Sequence, residues 1–140
     1  MSQENIEVIR KAYEGTNSRD FSFIEHLFDK DVEMFFPPEF PGTQEARGPK
    51  GFMRALAELE EAAQEIRYEL EELLDVEDRV LAKVRFVGRG RHTGISLDRR
   101  VYWLYTLRAG KITKMVVFLE RAEALEAAGL SEQDAHDPAG

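Results

Sequence analysis

The hydrophobic period of this chain changes once, near residue 65, and that change constrains the fold more than any other feature. Before it, apolar residues recur at helical spacing. Ile6, Ile9, Ala12 and Tyr13 form one stripe, with Ser2 or Asn5 available as a cap and Gly15 near the end. Asp20 opens a second, shorter helix that buries Phe23, Ile24, Leu27 and Phe28. A short strand, Val32 to Phe36, is stopped by Pro37 and Pro38, and residues 39–48 read as a loop with Pro41 and Gly42 as breakers. Pro49 suits the first turn of a third helix running to about Gln64, with Phe52, Leu56, Leu59 and Ala63 on its apolar face.

After the change, the period is two. Ile66, Tyr68 and Leu70 alternate with charged residues. Val80, Ala82, Val84 and Phe86 form a second row, Val101, Trp103, Tyr105 and Leu107 a third, and Thr113, Met115, Val117 and Leu119 a fourth. These are four successive strands, the last two joined by the glycine-containing turn Arg108-Ala109-Gly110-Lys111. A closing helix spans about 121–128 and stops at Gly129. Helices followed by a run of strands give an α+β fold, with helices packed on one face of a curved antiparallel sheet. Such a sheet encloses a cone, which is either filled by side chains or kept open as a pocket.

Composition narrows the classes further. A length of 140 residues suits one domain, here expected over 1–130, with 131–140 as a disordered tail. There is no cysteine, which excludes disulfide frameworks, thiolate metal sites and cysteine nucleophiles. A net charge of -8 argues against a nucleic-acid surface. No apolar run approaches the length of a membrane span, and the opening MSQENIEVIR is too polar for a secretory signal, so a cytoplasmic location is expected.

Several segments carry a resemblance. Asn17-Ser18-Arg19-Asp20 after the first helix, Leu27-Phe28-Asp29-Lys30-Asp31-Val32-Glu33 into the short strand, and Gly48-Pro49-Lys50-Gly51-Phe52 at the third helix are three of them. Leu107-Arg108-Ala109-Gly110-Lys111-Ile112 and the segment from Arg121 to Leu130 complete the set. In this order and spacing they resemble the SnoaL-like, NTF2-like superfamily over about 4–130. The resemblance implies a cone-shaped fold and a homodimer. It does not fix an activity, because the superfamily contains ketosteroid isomerases, epoxide hydrolases, polyketide cyclases, dehydratases and non-catalytic members.

The catalytic groups of those relatives are largely missing. Where the isomerases carry a carboxylate base this chain has Phe36, and where they carry a protonated acid it has Trp103 or a neighbour. Their helix tyrosine falls near Ala12, beside Tyr13. The aspartate of the hydrolases and cyclases falls on or near Val117, and the nearest acid on that strand is Glu120. The residues expected to face the cone are instead apolar: Met34, Phe36, Val84, Phe86, Trp103, Tyr105, Met115 and Val117 from strands, with Ile9, Tyr13, Leu27, Phe52 and Leu56 from helices. They are either plain core or the wall of an apolar ligand site with Tyr13, Tyr105 and Trp103 as polar handles. His26, Tyr13 and Tyr105 are the acid–base candidates by residue type.

The run Gly88-Arg89-Gly90-Arg91-His92-Thr93-Gly94 reads as a strand bulge and turn. With Arg99 and Arg100 on the return strand it is also locally basic, so Arg89, Arg91 or His92 could receive an anionic group. His26 beside Leu27 is a structural histidine or a base at the floor of the cone. His136 falls in the tail. Asp29, Asp31 and Glu33 lack a histidine at ligand spacing and read as capping or solvated, and Glu58, Glu60, Glu61 and Glu65 read as a solvated helix face. Tyr102, Leu104, Ile112, Val116 and Phe118 make the last two strands apolar on their outer face as well, with no further helix to cover it. A sheet-to-sheet homodimer is the simplest cover, and a docking face for another protein is the alternative. The expectation is therefore a domain that binds a small apolar ligand, with room for an anionic group, and needs no metal or cofactor. An enzyme acting on a polyketide- or terpenoid-like substrate, and a dimeric interaction module, are the competing classes.

Overall fold

The computed structural model describes residues 2–40 and 42–131. Helix α1 runs Ser2–Ser18, and a 3-10 turn Phe21–Phe23 leads into the single-turn α2, Ile24–Leu27. Strands β1 (Phe28–Phe35) and β2 (Glu45–Arg47) precede α3 (Gly48–Ala62). Strands β3 (Ala63–Val76), β4 (Arg79–Gly90), β5 (Ser96–Arg108) and β6 (Lys111–Phe118) follow, and α4 (Arg121–Ala128) closes the described chain. The six strands form one sheet in the order β2-β1-β6-β5-β4-β3. The α+β architecture read from the sequence is correct. All neighbours pair antiparallel except β1 and β6, which run parallel, so the sheet is mixed.

The elements form for local reasons. On α1, Ile9, Ala12, Tyr13 and Thr16 are buried at helical spacing, and Thr16 Oγ1 donates to Ala12 O at 2.8 Å. Gly15 is required by the turn that follows, because a Cβ there would lie 2.3 Å from the Phe23 ring. The helix gives way through Arg19, whose φ of 64° is left-handed. Asp20 then caps the 3-10 turn by accepting from Ser22 N at 3.2 Å. On α3, Phe52, Leu56 and Leu59 are buried behind a proline in the first turn. The helix ends at Ala62, two residues before the expected Gln64, and β3 begins immediately.

Three local expectations are corrected. The loop at 39–48 contains the three-residue strand β2, whose partner β1 supplies the pairing that a short polar segment cannot announce. Ile112, expected outside, is fully buried in the main core. A register shift between Thr106 and Leu107 leaves Thr113 as the extra residue, so Leu107 pairs with Ile112 and both turn inward. The outer face of the sheet also has a cover within this chain. Helix α4 packs Ala124, Leu125 and Ala128 onto Leu81, Tyr102 and Leu104, with Leu74, Phe118 and Leu130 around them. The sheet-to-sheet homodimer was expected on an apolar face with no helix to cover it, and α4 covers part of that face. Gly129, at φ 77°, ends α4, and Arg79 donates to the last carbonyls, Ala127 O at 2.9 Å and Ala128 O at 3.0 Å. Ser131 is exposed, and the rest of the expected tail, with His136, lies outside the described residues.

Candidate functional site

The concave face of the sheet is built by register. Trp103 pairs with Ala82 and Val117, Tyr105 with Val80 and Met115, and Val84 with Val101. Next along β4 and β5, Phe86 pairs with Arg99, so the row of apolar residues ends in an arginine at the wide end of the cone. Helices α1 and α3 press onto this face and nearly fill it.

Trp103 is the centre of the filled part. Its ring stacks near Tyr105 at 6.2 Å and meets Tyr13 and Tyr68 edge to face at 6.4 Å and Phe36 at 6.5 Å. Tyr13 and Tyr105 hydroxyls share a short hydrogen bond. Burial pushes both phenols, and that of Tyr68, well above the ordinary value of 10.0. A nearby phenolate would add repulsion at Tyr13, so these groups stay protonated and can donate a hydrogen bond but not abstract a proton. Trp103 is only 7% exposed, and its Nε1 finds no acceptor among the described residues.

On the concave face, space remains in three neighbouring recesses. The inner one, about 30 Å³, lies among Tyr13, Thr16, Phe28, Trp103, Tyr105 and Met115, enough for roughly one water. The middle one, about 20 Å³, adds Phe36, Phe40, Thr43, Glu58 and Leu59, and the two share Phe52, Leu56, Tyr68 and Trp103. The outer one, at the mouth, is about 240 Å³ and shares Phe40 and Leu59 with the middle one. Its wall is Phe40, Leu59, Phe86, Leu97, Val101 and Leu119, with Glu39, Asp98 and Arg99 as its charged residues.

The residues expected to line a ligand site divide accordingly. Tyr13, Phe52, Leu56, Trp103, Tyr105 and Met115 line the inner recess, Phe36 the middle one and Phe86 the outer one. Met34, Val84 and Val117 are packed core and line none of them. His26 is exposed on α2 and lines no recess, so a base at the floor of the cone is not where that residue sits. The single turn of α2 buries Ile24 and leaves Glu25 and His26 exposed.

Two charge readings also change. Glu58 is not on a solvated face. It is half-buried and lines the middle recess, because the chain before α3 brings Thr43 beside it, whose N–H it accepts at 2.9 Å. The basic hairpin is largely neutralised. Arg85 meets Asp98 at 2.6 Å and Glu69 at 3.4 Å, Arg100 meets Glu71 at 2.7 Å, and Arg89 meets Glu65 at 3.2 Å. Arg91 donates to Glu60 O at 2.9 Å, and His92 is exposed in the turn. Arg99 alone of this group stands on the concave face, 3.8 Å from Glu120. Asp29 and Glu33 serve the backbone of Asp31 and the side chain of Arg47. The sequence reading missed Phe40, Tyr68 and Leu97. An aromatic inside the segment Pro37-Pro38-Glu39-Phe40-Pro41-Gly42 was the visible sign of the first.

A cone of this kind, lined by apolar side chains behind a bent sheet, defines the class, and the comparisons agree. The family description for a SnoaL-like domain matches residues 9–115, and the chain belongs to that family. No curated protein matches it. Among solved structures, TerC co-crystallised with polyporic acid superposes with a TM-score of 0.75 at 23% identity, covering 90% of this chain and 98% of that one. An NTF2-like protein from Burkholderia thailandensis gives 0.76 at 22% identity, covering 95% and 98%. A putative SnoaL-like polyketide cyclase from Jannaschia gives 0.72 at 16% identity, covering 93% and 94%. At these identities the likeness carries the fold. Among the described residues, no helix is long and apolar enough to cross a membrane.

Proposed function

We propose that this domain binds a small apolar molecule with an acidic group at the mouth of the cone. The observation that carries the reading is the outer recess of about 240 Å³, apolar in its wall and bearing Arg99 as its cation. Its size lies just under the usual range for small-molecule sites. The Arg99–Glu120 pair is long and its partners are 54% and 70% exposed, so a carboxylate ligand can take the guanidinium at little cost. Calorimetric titration with decanoate and decanol tests this. The acid should bind more tightly than the alcohol, and Arg99→Gln should bring the two together. No heat and no thermal shift with any apolar acid would sink the reading.

A second reading is favoured by Glu58, the carboxylate in the wall of the middle recess next to Trp103. In an acid–base enzyme Glu58 would take a proton from a carbon beside a carbonyl, while Tyr13 and Tyr105 could only donate. The Jannaschia neighbour's description as a putative polyketide cyclase is compatible with such chemistry. Deuterium wash-in beside the carbonyl of an aryl methyl ketone acid, followed by proton NMR, would report it. Glu58→Gln should abolish the wash-in, and a rate no faster than buffer would remove the enzyme reading.

A further inference from the structure

The mouth of the cone carries an acidic residue that nothing answers. The charged residues around the outer recess are Glu39, Asp98 and Arg99 in its wall and Glu120 just past β6. Asp98 is engaged at both oxygens by Arg85, Nε to Oδ1 at 2.8 Å and Nη2 to Oδ2 at 2.6 Å. Arg99 is shared with Glu120 at 3.8 Å. Glu39 has no hydrogen-bonded or ion-pair partner among the described residues. Its place is set locally. Pro38 suits the second position of a turn, which Phe40 N closes by donating to Pro37 O at 2.9 Å. That turn puts Glu39 and Phe40 side by side in the wall of the recess, and Phe40 is held there by stacking on Phe36 at 5.7 Å. Arg99 joins the same wall from β5, where it pairs in register with Phe86.

We infer that Glu39 selects the ligand by a second charge, and that the molecule taken at the mouth carries an ammonium beside its carboxylate, as an apolar α-amino acid does. The inference rests on the mouth-binding reading: Arg99 takes the carboxylate as before, and Glu39 adds the demand for a cation. Both charges of such a ligand are answered, whereas a simple acid meets Arg99 and is repelled by Glu39. The recess, about 240 Å³ and walled by Phe40, Phe86 and Leu97 among others, suits a single ring or a branched aliphatic chain as the apolar part. Glu39 is exposed and the Arg99 side chain is 54% exposed, so water screens both, and the selection amounts to a few-fold in affinity.

L-Phenylalanine, hydrocinnamate and phenethylamine share one ring and one chain and differ in the charges they carry. Each is titrated into the full chain near neutral pH and at low salt, followed by calorimetry and by the amide resonances of Leu97 and Arg99. L-Phenylalanine should bind about fivefold more tightly than hydrocinnamate, and more tightly than phenethylamine. In Glu39→Gln the amino acid should weaken and hydrocinnamate tighten until the two bind alike. Glu39 is exposed, so this variant keeps the fold. A preference for L-phenylalanine that survives unchanged in Glu39→Gln overturns the inference. Hydrocinnamate binding to the wild-type chain as tightly as L-phenylalanine also overturns it and leaves the mouth reading standing. Failure of both acids to bind overturns both readings. Phenethylamine binding as tightly as the amino acid does the same, since Arg99 would then contribute nothing.

Discussion

The two faces of the sheet use the same alternation for different ends. On the concave face, rows through Val80, Ala82, Val84 and Trp103, Tyr105, Met115 meet two helices and are buried almost completely. On the convex face, one apolar row crosses five strands, Phe35–Val116–Leu104–Leu81–Leu74. Helix α4 covers part of it, while the rest of that face carries arginine–carboxylate pairs. Where it is covered, the convex face is satisfied at short range: apolar against apolar, cation against anion. The concave face is closed except at its mouth and at one indole nitrogen. Function is to be sought where packing leaves a remainder, and among the described residues the concave side has apolar recesses and a buried side-chain donor without a partner.

Substitutions can break or sharpen that contrast. Phe52→Ala, in the walls of both inner recesses and 4.8 Å from the Phe28 ring, should lower stability by about 3 to 5 kcal/mol in urea unfolding. A small loss would mean the concave core is looser than its burial suggests. Leu104→Glu places a charge under α4 and should cost about 3 kcal/mol with a concentration-independent melting point. If it instead shifts the sedimentation mass from dimer to monomer, the convex face is a subunit interface after all. Arg79→Ala removes the two hydrogen bonds that end α4 and should cost about 2 kcal/mol. It should also raise binding of a hydrophobic dye as Leu81 and Tyr102 become accessible. No rise would show that α4 stays docked by its alanines and Leu125 alone.

Alkaline pH separates the faces differently. Tyr13, Tyr68 and Tyr105 have folded pKa values above the ordinary 10.0 because burial penalises the phenolate. Their contribution to stability is complete below pH 10.0 and is lost as pH rises above it, since the unfolded chain releases protons that the folded chain keeps. Ultraviolet titration should show these three ionising only as the fold opens. Ionisation at the ordinary value without unfolding would mean that water reaches the inner recess. The smallest effect is expected at the mouth. Phe40→Ala should cost under about 1 kcal/mol, because Phe40 is partly exposed and chiefly stacks on Phe36 at 5.7 Å.

Much of this was legible beforehand. The stripes at Ile9, Ala12, Tyr13 and at Phe52, Leu56, Leu59 predicted buried helix faces, and the alternations predicted β4, β5 and β6. Trp103, Tyr105 and Met115 were expected to face one space, and they line the inner recess together. The failures share a cause. Ile112 changed sides through a bulge at Thr113 that is set by the pairing with Leu107. Glu58 changed environment because Thr43, fifteen positions away, brings a backbone donor to it. Arg89 and Arg100 are paired with Glu65 and Glu71, both on β3. Each depends on pairing register or on a partner from another element, which local periodicity does not carry.

The sequence by itself determined the order of the elements apart from β2, the α+β class, the family resemblance and the identity of most of the core. Those follow from periodicity and turn residues, which act over a few positions. Only the tertiary structure decided that the cone is nearly full, that α4 lies on the convex face and that Arg99 is the arginine left at the mouth. These depend on register and on summed side-chain volumes. A shift of one residue in pairing reverses a strand's faces, and a few side chains decide whether an enclosed space holds a ligand or a water.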